Sequence, residues 1–428
     1  MIDTRQLGAK IFEYIDALAE LSEHPDHLTR CSLTREHKQA NALVEKWMQS
    51  AGMSTYTDAI GNIVGRYAAQ SAAQSETEPS DSFGTSPALL LGSHLDTVRN
   101  GGRYDGMLGV VAPLVCIAAL HGQGIRLPFA VEIVGFCDEE GVRFPSTLFG
   151  SRAIAGTLDP ATLGQQDENG ISIADALRDF GLDPNNLKSA QRAESDYLGF
   201  VEVHIEQGPV LETQNIPVGV VTAISGAARY QVSVQGVAGH AGTVPMSLRQ
   251  DALTGAAECM LAIEAVSSDY EGLVATVGQI KALPGATNVI PGTVEFSIDI
   301  RSSEDAIRQR AEDRITDLFA KISSKRKLDI QAVKTYEAGS VDCDKRLTRQ
   351  LAKAIESFGY PVQSLPSGAG HDAMALAELT PIAMLFVRCK GGISHHPDES
   401  ITVQDANAVA DVLLRFLQDF NPATLTAA

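Results

Sequence analysis

The N-terminal half of the chain alternates between stretches with helical apolar spacing and short, continuous apolar runs. Apolar residues recur at helical spacing over residues 8–22 and 35–51, which predicts two helices. The runs "GNIVGRYAA", "ALLLGSHLD" and "FAVEIVGF" predict strands, and "MLGVVAPLVCIAAL" predicts a helix between the last two. Alternating strands and helices are typical of an α/β domain whose sheet is partly parallel.

The pattern changes near residue 218. Strand "ARYQVSVQGV", a helix over 249–266, strands "LVATVGQIKA" and "GTVEFSIDIRS", a helix over 304–322 and strand "LDIQAVKT" follow one another. The order βαββαβ is typical of a ferredoxin-like domain. The α/β pattern then returns with a helix over 345–358, strand "IAMLFV" and a closing helix over 402–419.

The predicted fold class is therefore α/β, with a mixed-sheet domain that is split by an inserted ferredoxin-like domain. We expect the first segment of the split domain to span residues 1–217, the insertion residues 218–337, and the second segment residues 338–428. Sites in such sheets lie beyond the carboxyl ends of the strands, and both "SHLD" and "CDEE" fall there.

Length and composition narrow the class of protein. The 428 residues, 44% of them hydrophobic, suffice for two or three domains with a large core. The longest apolar run, "VVAPLVCIAAL", is far shorter than a membrane span, and no apolar segment follows the start "MIDTRQLGAK". A cytoplasmic location is therefore expected. The net charge of −19 argues against nucleic acid and anionic membranes as partners.

Two further features of the sequence concern cysteines and a polar stretch. The six cysteines are scattered and form no CxxC pair, which argues against zinc knuckles, redox motifs and disulfide frameworks. We expect most of them to be reduced core residues. The Ser-, Glu- and Pro-rich stretch over residues 69–86 predicts a surface loop.

Candidate chemistry begins in "GSHLDTVRNGGRYDG". In an extended chain His94 and Asp96 point the same way, so Asp96 can hold one ring nitrogen of His94 while the other binds a metal ion. Asp105 opens the next helix. Taken alone, an N-cap or a turn within "DG" is the favoured role for Asp105.

The triplet Asp138, Glu139 and Glu140 crowds three negative charges directly after a strand. A fold that holds such charges together usually supplies a cation or protonates one of them. Adjacent side chains point in different directions, so one of Glu139 and Glu140 is expected to bind metal while the other handles protons. The alternative is an acidic helix start without catalytic function.

Two more segments supply histidines. Alternation in "FVEVHIEQGPV" directs Glu202, His204 and Glu206 outward, so solvent exposure is the alternative to metal ligation for His204. "GGISHHPDES" places His395 and His396 on a glycine-rich loop after a strand. Five loops at predicted strand ends thus carry a histidine or a carboxylate, and this convergence favours a metal centre.

The candidate ligands also indicate which metals fit. Mixed His and Asp/Glu ligation suits Zn²⁺, Mn²⁺, Co²⁺ or Ni²⁺, and two ions about 3.5–4 Å apart with a bridging carboxylate are usual in two-metal hydrolases. The candidates include no thiolate, which disfavours a structural zinc site.

The inserted domain adds His240, Asn288 and Arg301 near strand ends or turns. Arg301 is suited to a bidentate pair with a substrate carboxylate, and His240 to polarising a carbonyl oxygen. Exposed polar positions without a role are the alternative. For Asn288 the alternative is a turn, because Asn tolerates left-handed conformations.

Together these motifs resemble the M20 metallopeptidase superfamily, and within it the hydantoinase/carbamoylase branch of allantoate amidohydrolases, N-carbamoyl-L-amino acid hydrolases and β-ureidopropionases. The resemblance runs nearly end to end, through "GSHLDTVRNGGRYDG", "DEEGVRFPSTLFGSRAIAG", "HIEQGPVLE", "GHAGTVPM", "NVIPGTVEFSIDIRS", "SGAGHDAM" and "GISHHPDE". It implies an M20-type catalytic domain, with the insertion serving as a lid and dimerisation domain.

The resemblance implies two divalent ions per subunit, most simply Zn²⁺ or Mn²⁺. The implied ligands are His94, Asp105, Glu140, His204 and His395. His94 and His204 are expected on different ions, with Asp105 bridging the two. Glu139 is the implied general base. His396 occupies a position that varies between members of the family and is left out.

The same resemblance implies the substrate contacts. Gln207 contacts the ureido end, and the backbone at Gly370 lines the substrate pocket. His240, Asn288 and Arg301 reach the active site of the partner subunit, which implies a homodimer. The expected reaction cleaves the ureido C–N bond of a carboxylate-bearing ureide, releasing ammonia and carbon dioxide. "FCDEEGVRFPST" and "LFVRCKGGISHHPDE" favour allantoate over N-carbamoyl-L-amino acids or N-carbamoyl-β-alanine.

Two functions of other classes compete. "GAGHDA" at 368–373 fits the dinucleotide-binding pattern G-x-G-x-x-A, with Arg388 at the end of the following strand, but short glycine patterns are common by chance. A dehydrogenase would also leave the five-loop set unexplained. A metal-free binding relative is the other alternative, and the intact candidate ligands and Glu139 argue against it.

Overall fold

The computed structural model describes residues 6–70 and 86–426, so most of the predicted loop at 69–86 lies outside the described residues. The helices are α1 Leu7–Ala19, α2 Arg35–Ser50, α3 Met107–Gly122, α4 Phe149–Ala155, α5 Ile173–Phe180, α6 Val210–Gln214, α7 Ala252–Ser268, α8 Asp305–Arg326, α9 Lys345–Ser357, α10 Asp372–Leu376, α11 Val403–Asp419 and α12 Ala423–Thr426.

The strands follow the same chain order. They are β1 Ser54–Thr57, β2 Ile63–Tyr67, β3 Ala88–His94, β4 Ala130–Phe136, β5 Tyr197–Ile205, β6 Val218–Ile224, β7 Gly226–Gln235, β8 Gly239–His240, β9 Leu273–Thr276, β10 Ile280–Leu283, β11 Val289–Ile290, β12 Thr293–Ser302, β13 Asp329–Ala338, β14 Val341–Asp342, β15 Gln363–Ser367 and β16 Ile382–Val387.

The chain divides into two compact units. The first comprises the described residues up to Thr222, together with Cys343–Leu365 and those from Gly370 onward. The second comprises Ala223–Asp342 and Pro366–Ala369. The limits predicted from the sequence, after residues 217 and 337, fall a few residues before these because β6 continues the sheet of the first unit before the chain enters the second.

The first unit contains a mixed sheet in the order β1-β2-β4-β3-β5-β16-β6. Strand β3 is parallel to both β4 and β5, and β5 is parallel to β16. Strands β1 and β2 at one side, and β6 at the other, run antiparallel to their neighbours. The prediction of a mixed α/β sheet is confirmed.

Helix α3 forms the centre of the core of this unit. It is apolar on every side, and most of its residues are buried. A helix that is hydrophobic all round is stable in water only when other elements cover it. It packs against β3, β5, α1 and α11.

Strand β5 differs from its prediction. Alternation placed Glu202, His204 and Glu206 on a solvent face, but all three are buried. The reason is that β5 lies between β3 and β16 in a sheet covered on both faces, so its alternate positions have no access to solvent.

The second unit is built on an antiparallel sheet in the order β10-β12-β7-β13, with β9 also paired to β12. The burial of β12 alternates along its whole length, and its buried residues pack with those of α7 and α8. The predicted strand "LVATVGQIKA" is divided into β9 and β10. The pairing with β12 slips by one residue between Thr276 and Ile280, around Gly278.

Two smaller expectations concern cysteines and membranes. All six cysteines are buried and none forms a disulfide, as expected for reduced core residues. None of the helices in residues 6–70 and 86–426 has the length and apolar character that crossing a bilayer requires.

The buried side chain of His37 makes the first unit sensitive to acid. Its Nδ1 accepts a hydrogen bond from the backbone N–H of Leu33 at 3.0 Å, and its Nε2 has no hydrogen-bond partner among the described residues. Burial, assisted by the charge of Arg30, lowers the pKa of His37 to about 3. Between pH 6.5 and 3 the unfolded chain therefore binds a proton that the folded chain does not, and the free energy of unfolding falls as the pH falls.

We expect His37→Asn to reduce this sensitivity, because asparagine keeps an acceptor near the place of Nδ1 and does not titrate. Urea unfolding of both proteins at pH 7, 6 and 5 measures the effect. From pH 7 to pH 5, the free energy of unfolding of the parent should fall by about 2 kcal/mol more than that of His37→Asn. A difference that does not change with pH would show that His37 is not the group responsible.

Candidate metal centre

The parallel strands bring the sequence-predicted ligands to one edge of the first unit. Strand β3 ends at His94, the triplet Asp138–Glu140 follows β4, His204 lies near the end of β5, and His395 is on the loop after β16. The carboxyl ends of neighbouring parallel strands meet at the same edge of a sheet. Asp105 immediately precedes α3, which packs on β3 and β5.

Asp105 lies at the centre of this group. Its Oδ1 is 3.4 Å from His94 Nε2 and 3.1 Å from His204 Nε2. Its Oδ2 is 3.3 Å from His395 Nε2. The two oxygens of one carboxylate therefore face different histidines, which suits a bridging ligand.

The two glutamates lie on either side of Asp105. Glu139 Oε2 is 4.0 Å from His94 Nε2, and Glu140 Oε2 is 3.7 Å from His395 Nε2. One ligating atom from each of Asp105, Glu140 and His395 falls within 4.8 Å of the others. The same holds for His94, Asp105 and His204.

These distances group the histidines differently from the expectation. The resemblance implied that His94 and His204 bind different ions, but both point Nε2 at the same oxygen of Asp105. The physical reason is that β3 and β5 are hydrogen-bonded neighbours, which brings the ends of the two strands together on one side of Asp105. His395 and Glu140 lie on the other side.

Backbone carbonyls orient both buried histidines. His94 Nδ1 is 2.9 Å from the carbonyl oxygen of Asp96, and His204 Nδ1 is 2.9 Å from that of Ile205. A carbonyl only accepts, so in the neutral rings Nδ1 carries the proton and Nε2 offers its lone pair toward Asp105. This is the tautomer that a metal ligand needs.

The role of Asp96 therefore differs in detail from the prediction. Its backbone carbonyl, rather than its carboxylate, holds His94, and the nearest carboxylate oxygen is 3.8 Å from Nδ1. The carboxylate instead accepts from the backbone N–H groups of Glu139, at 3.2 Å, and Glu140, at 3.1 Å. Asp96 thus fixes the backbone that carries both glutamates.

Burial and crowding shift the pKa values of the acidic groups. Burial, then the charge of Asp105, raises the pKa of Glu140 to about 7. Burial also raises the pKa of Glu139 well above its ordinary value, with further increase from Glu140. Burial would raise the pKa of Asp105 too, but the positive charges and hydrogen bonds of the histidines lower it well below its ordinary value.

Two observations fit divalent cations at this centre. Glu140 Oε1 is buried and has no hydrogen-bond partner among the described residues, and a buried polar atom normally has one. In addition, the donor set combines imidazole nitrogens with carboxylate oxygens, which suits Zn²⁺, Mn²⁺, Co²⁺ or Ni²⁺. Cations would offset the repulsion among the buried carboxylates.

Three non-glycine residues of this region have left-handed backbones. Asp138, Gln207 and His395 have φ of 61°, 56° and 56°. This conformation is uncommon for side-chain-bearing residues and is found at functional sites where the surroundings enforce it. Asp138 is also buried, and Ser32 Oγ donates to its Oδ1 at 2.6 Å.

Gln207 contacts Asp105 directly. Its Nε2 donates to Asp105 Oδ2 at 2.8 Å and to Ser394 Oγ at 3.0 Å. Its Oε1 is buried and has no hydrogen-bond partner among the described residues. The side chain therefore offers an oriented acceptor beside the candidate ligands.

The residues predicted in the insertion lie in the second unit. His240 is exposed, and its Nδ1 accepts from the backbone N–H of Gly242 at 3.1 Å, so Nε2 of the neutral ring is a donor. Asn288 is next to it, because β8 pairs with β11 and the Ala241 N–H donates to the Asn288 carbonyl at 3.0 Å.

Arg301 already has an acidic partner. Its Nε and Nη2 donate to the two oxygens of Asp299 at 2.7 and 3.0 Å, and Nη1 donates to the Gly368 carbonyl at 2.8 Å. Asp299 also accepts from Arg229 at 2.9 Å. Two guanidinium groups share one carboxylate, so a net positive charge remains beside Arg301.

Some neighbours of the centre carried no sequence signal of their own. Ser394 Oγ lies 2.7 Å from Asp105 Oδ2, the ring of His371 packs edge-on against that of His204, and Glu202 accepts from Ser93 Oγ at 2.7 Å. Glu202 lies two residues before His204 in the sequence. Gly370, predicted to line the pocket, directly precedes His371 in the first unit.

Comparison with known families identifies the fold. Residues 90–419 match the model of Peptidase family M20/M25/M40. The chain belongs to this family. This M20 chain is 40% identical to an allantoate deiminase of Arabidopsis thaliana, over 94% of the chain and 80% of that relative. It is 39% identical to an N-carbamoyl-L-amino-acid amidohydrolase of Pseudomonas sp. strain NS671, over 92% of the chain and 93% of the relative.

Solved structures agree with this assignment. The M20 chain resembles a hydantoinase/carbamoylase family amidase of Burkholderia multivorans with a TM-score of 0.87 and 32% identity, covering 96% of this chain and 97% of that one. The predicted membership of the M20 superfamily and of its hydantoinase/carbamoylase branch is confirmed. The dinucleotide-binding alternative fails, since α10, which begins inside "GAGHDA" at Asp372, has only five residues.

Proposed function

We propose that this protein is a metal-dependent amidohydrolase that cleaves the ureido C–N bond of a carboxylate-bearing ureide, with allantoate as the favoured substrate. The observation that carries the proposal is the convergence of His94, Glu140, His204 and His395 on the two oxygens of Asp105. Relatives named as amidohydrolases of allantoate and of N-carbamoyl amino acids support the reaction class.

We propose two ligand sets that share Asp105, supported by the distances of the histidines from its two oxygens. We assign His94 and His204 to one ion, and Glu140 and His395 to the other. Divalent ions held there would supply Lewis-acid activation of water and of the ureido carbonyl group. Zn²⁺ and Mn²⁺ are the favoured ions.

Glu139 is the proposed general base. Its carboxylate lies 4.0 Å from His94 Nε2, and the carboxylate of Asp96 holds its backbone. It accepts a proton from the attacking water and returns one to the departing nitrogen. The bond to the terminal amide nitrogen breaks, ammonia leaves, and the remaining carbamate loses carbon dioxide.

The second unit is the proposed lid and dimerisation domain, with ferredoxin-like topology. We propose that it brings His240, Asn288 and Arg301 to the active site of the partner subunit in a cytoplasmic homodimer. His240 Nε2–H is the donor available to stabilise the oxyanion that develops on the ureido carbonyl.

Two groups are suited to recognise the substrate. The net positive charge around Arg301 attracts a carboxylate, and the buried Oε1 of Gln207 accepts an N–H from a ureido group. N-carbamoyl-L-amino acids and N-carbamoyl-β-alanine offer the same two groups. Allantoate differs in bearing a second ureido arm on the carbon that carries the carboxylate.

A panel of substrates tests the proposal. Ammonia release is measured with added Mn²⁺ on allantoate, N-carbamoyl-L-amino acids, N-carbamoyl-β-alanine and a dipeptide, with a chelator control. We expect chelator-sensitive turnover of ureides and the highest kcat/KM on allantoate. Higher kcat/KM on an N-carbamoyl-L-amino acid would reassign the substrate, and activity confined to the dipeptide would refute the reaction class.

The role of Arg301 gives a further prediction. In Arg301→Gln we expect KM for the preferred substrate to rise about 10- to 100-fold, because one charge-assisted contact to the carboxylate is lost. The methyl ester of the same substrate should respond much less. Arg229→Gln is the comparison variant: it removes the second guanidinium on Asp299 but leaves that of Arg301 in place, so KM should rise less than in Arg301→Gln. An unchanged KM in Arg301→Gln would contradict the assignment.

A further inference from the structure

We propose that Glu399 is a positioning residue that sets the orientation of the bridging carboxylate of Asp105. The inference rests on the proposed function only in taking Asp105 as a ligand. Glu399 lies four residues after His395 and is 3% exposed. Its contacts connect the loop after β16 to the turn before α3.

One oxygen of Glu399 holds the backbone of that turn. Oε1 accepts from the N–H of Tyr104 at 2.8 Å and from the N–H of Asp105 at 3.0 Å. Two consecutive amides on one acceptor fix both position and rotation of the peptide, because each N–H bond is strongly directional. The Cα of Asp105 is therefore held from a residue 294 positions away in the chain.

The other oxygen acts through Ser394. Ser394 Oγ is 2.7 Å from Asp105 Oδ2 and 3.1 Å from Glu399 Oε2, so this hydroxyl can donate its one proton to either carboxylate and connects the two. Gln207 donates to the same hydroxyl at 3.0 Å. Glu399 thus restrains Asp105 at both ends, through its backbone and through Oδ2.

The turn before α3 approaches the side chain of Glu399 closely at Gly102. A Cβ built at Gly102 would lie 2.2 Å from Glu399 Cδ, so only glycine allows the carboxylate to approach this turn. Outer partners that orient ligands typically change metal affinity by about 10- to 100-fold when removed. Glu399 has the contacts expected of such a partner.

Three variants test the proposal, with Mn²⁺ affinity measured by titration of the free-ion paramagnetic signal. In Glu399→Ala we expect affinity to fall about 10- to 100-fold, because all three acceptor contacts are lost. In Glu399→Gln it should stay within about 3-fold of the parent, since the amide oxygen still accepts from the two backbone N–H groups and the amide nitrogen donates to Ser394. Ser394→Ala removes the hydroxyl that contacts Asp105 Oδ2, Glu399 Oε2 and Gln207 Nε2, and leaves the two backbone contacts of Glu399 in place, so we expect it to weaken mainly one of two ions.

Asp58→Ala is the matched control. Asp58 is also buried, and its Oδ1 also accepts from two backbone N–H groups, those of Ile60 and Asn62, but it contacts no proposed ligand. Asp58→Ala should lower the melting temperature and leave Mn²⁺ affinity unchanged.

Parental affinity in Glu399→Ala, or equal losses in the alanine and glutamine variants, would overturn the role of Glu399. If Glu399→Ala does not fold, parental affinity in Ser394→Ala overturns it. Failure of the unmodified protein to bind two ions would instead refute the proposed function.

Discussion

Glu139→Gln is expected to lower kcat by about 10³-fold, within the range that a positioned general base contributes. Glutamine keeps the shape of the side chain and cannot accept the proton. Its backbone N–H still donates to Asp96, so the neighbouring Glu140 keeps its place. Metal analysis of the purified variant should give the same ion content as the parent.

The combination of lost turnover and intact metal content separates a base from a ligand. Glu140→Gln is the informative companion, because it changes the adjacent carboxylate and should lower metal content. Steady-state ammonia release and metal analysis on the same preparations show which of the two glutamates is the base and which is the ligand. Turnover near the parental value in Glu139→Gln would refute the assignment of the base.

Asp105→Asn is expected to remove both ions rather than one. The two oxygens of Asp105 face different ligand groups. Asparagine replaces one of these oxygens with an NH₂ group, which donates hydrogen bonds and is a poor ligand for a cation. We expect affinity to fall by more than about 100-fold at each site and ureide hydrolysis to fall to background.

Metal binding can be followed without activity. Added Mn²⁺ should raise the melting temperature of the parent, because ions bind the folded state in preference to the unfolded state, and should have no such effect on Asp105→Asn. Asp398→Asn is the control, since Asp398 is an exposed acid that lies 3.7 Å from His396, which is not a proposed ligand. Retention of one tightly bound ion in Asp105→Asn would contradict the bridging role.

Strong apolar periodicity explains which elements were predictable. The helices expected over 35–51 and 402–419 are observed as Arg35–Ser50 and Val403–Asp419. A cap supports each start: Thr34 accepts from the His37 N–H, and Thr402 forms a capping box with Asp405. The apolar spacing and the capping residues agree at these two helices, so the sequence alone predicts where they lie.

The parts that sequence reasoning missed depend on distant contacts. Alternation in β5 was correct, but it could not reveal that the second face of the sheet is covered, so solvent exposure remained an alternative to metal ligation for His204. The link from Glu399 to Asp105 spans most of the chain and has no local pattern. The candidate ligands were recognisable because several weak motifs occurred in order, whereas their division around Asp105 required coordinates.

Crowding of carboxylates around Asp105 has a consequence inside a cell. Mutual repulsion of buried acids makes the cation-free fold less favourable, so the supply of divalent metal influences how much of the protein escapes degradation. The amount of this protein would then depend on the supply of divalent metal as well as on gene expression. A cell starved of its preferred ion would lose this enzyme in quantity and in turnover together.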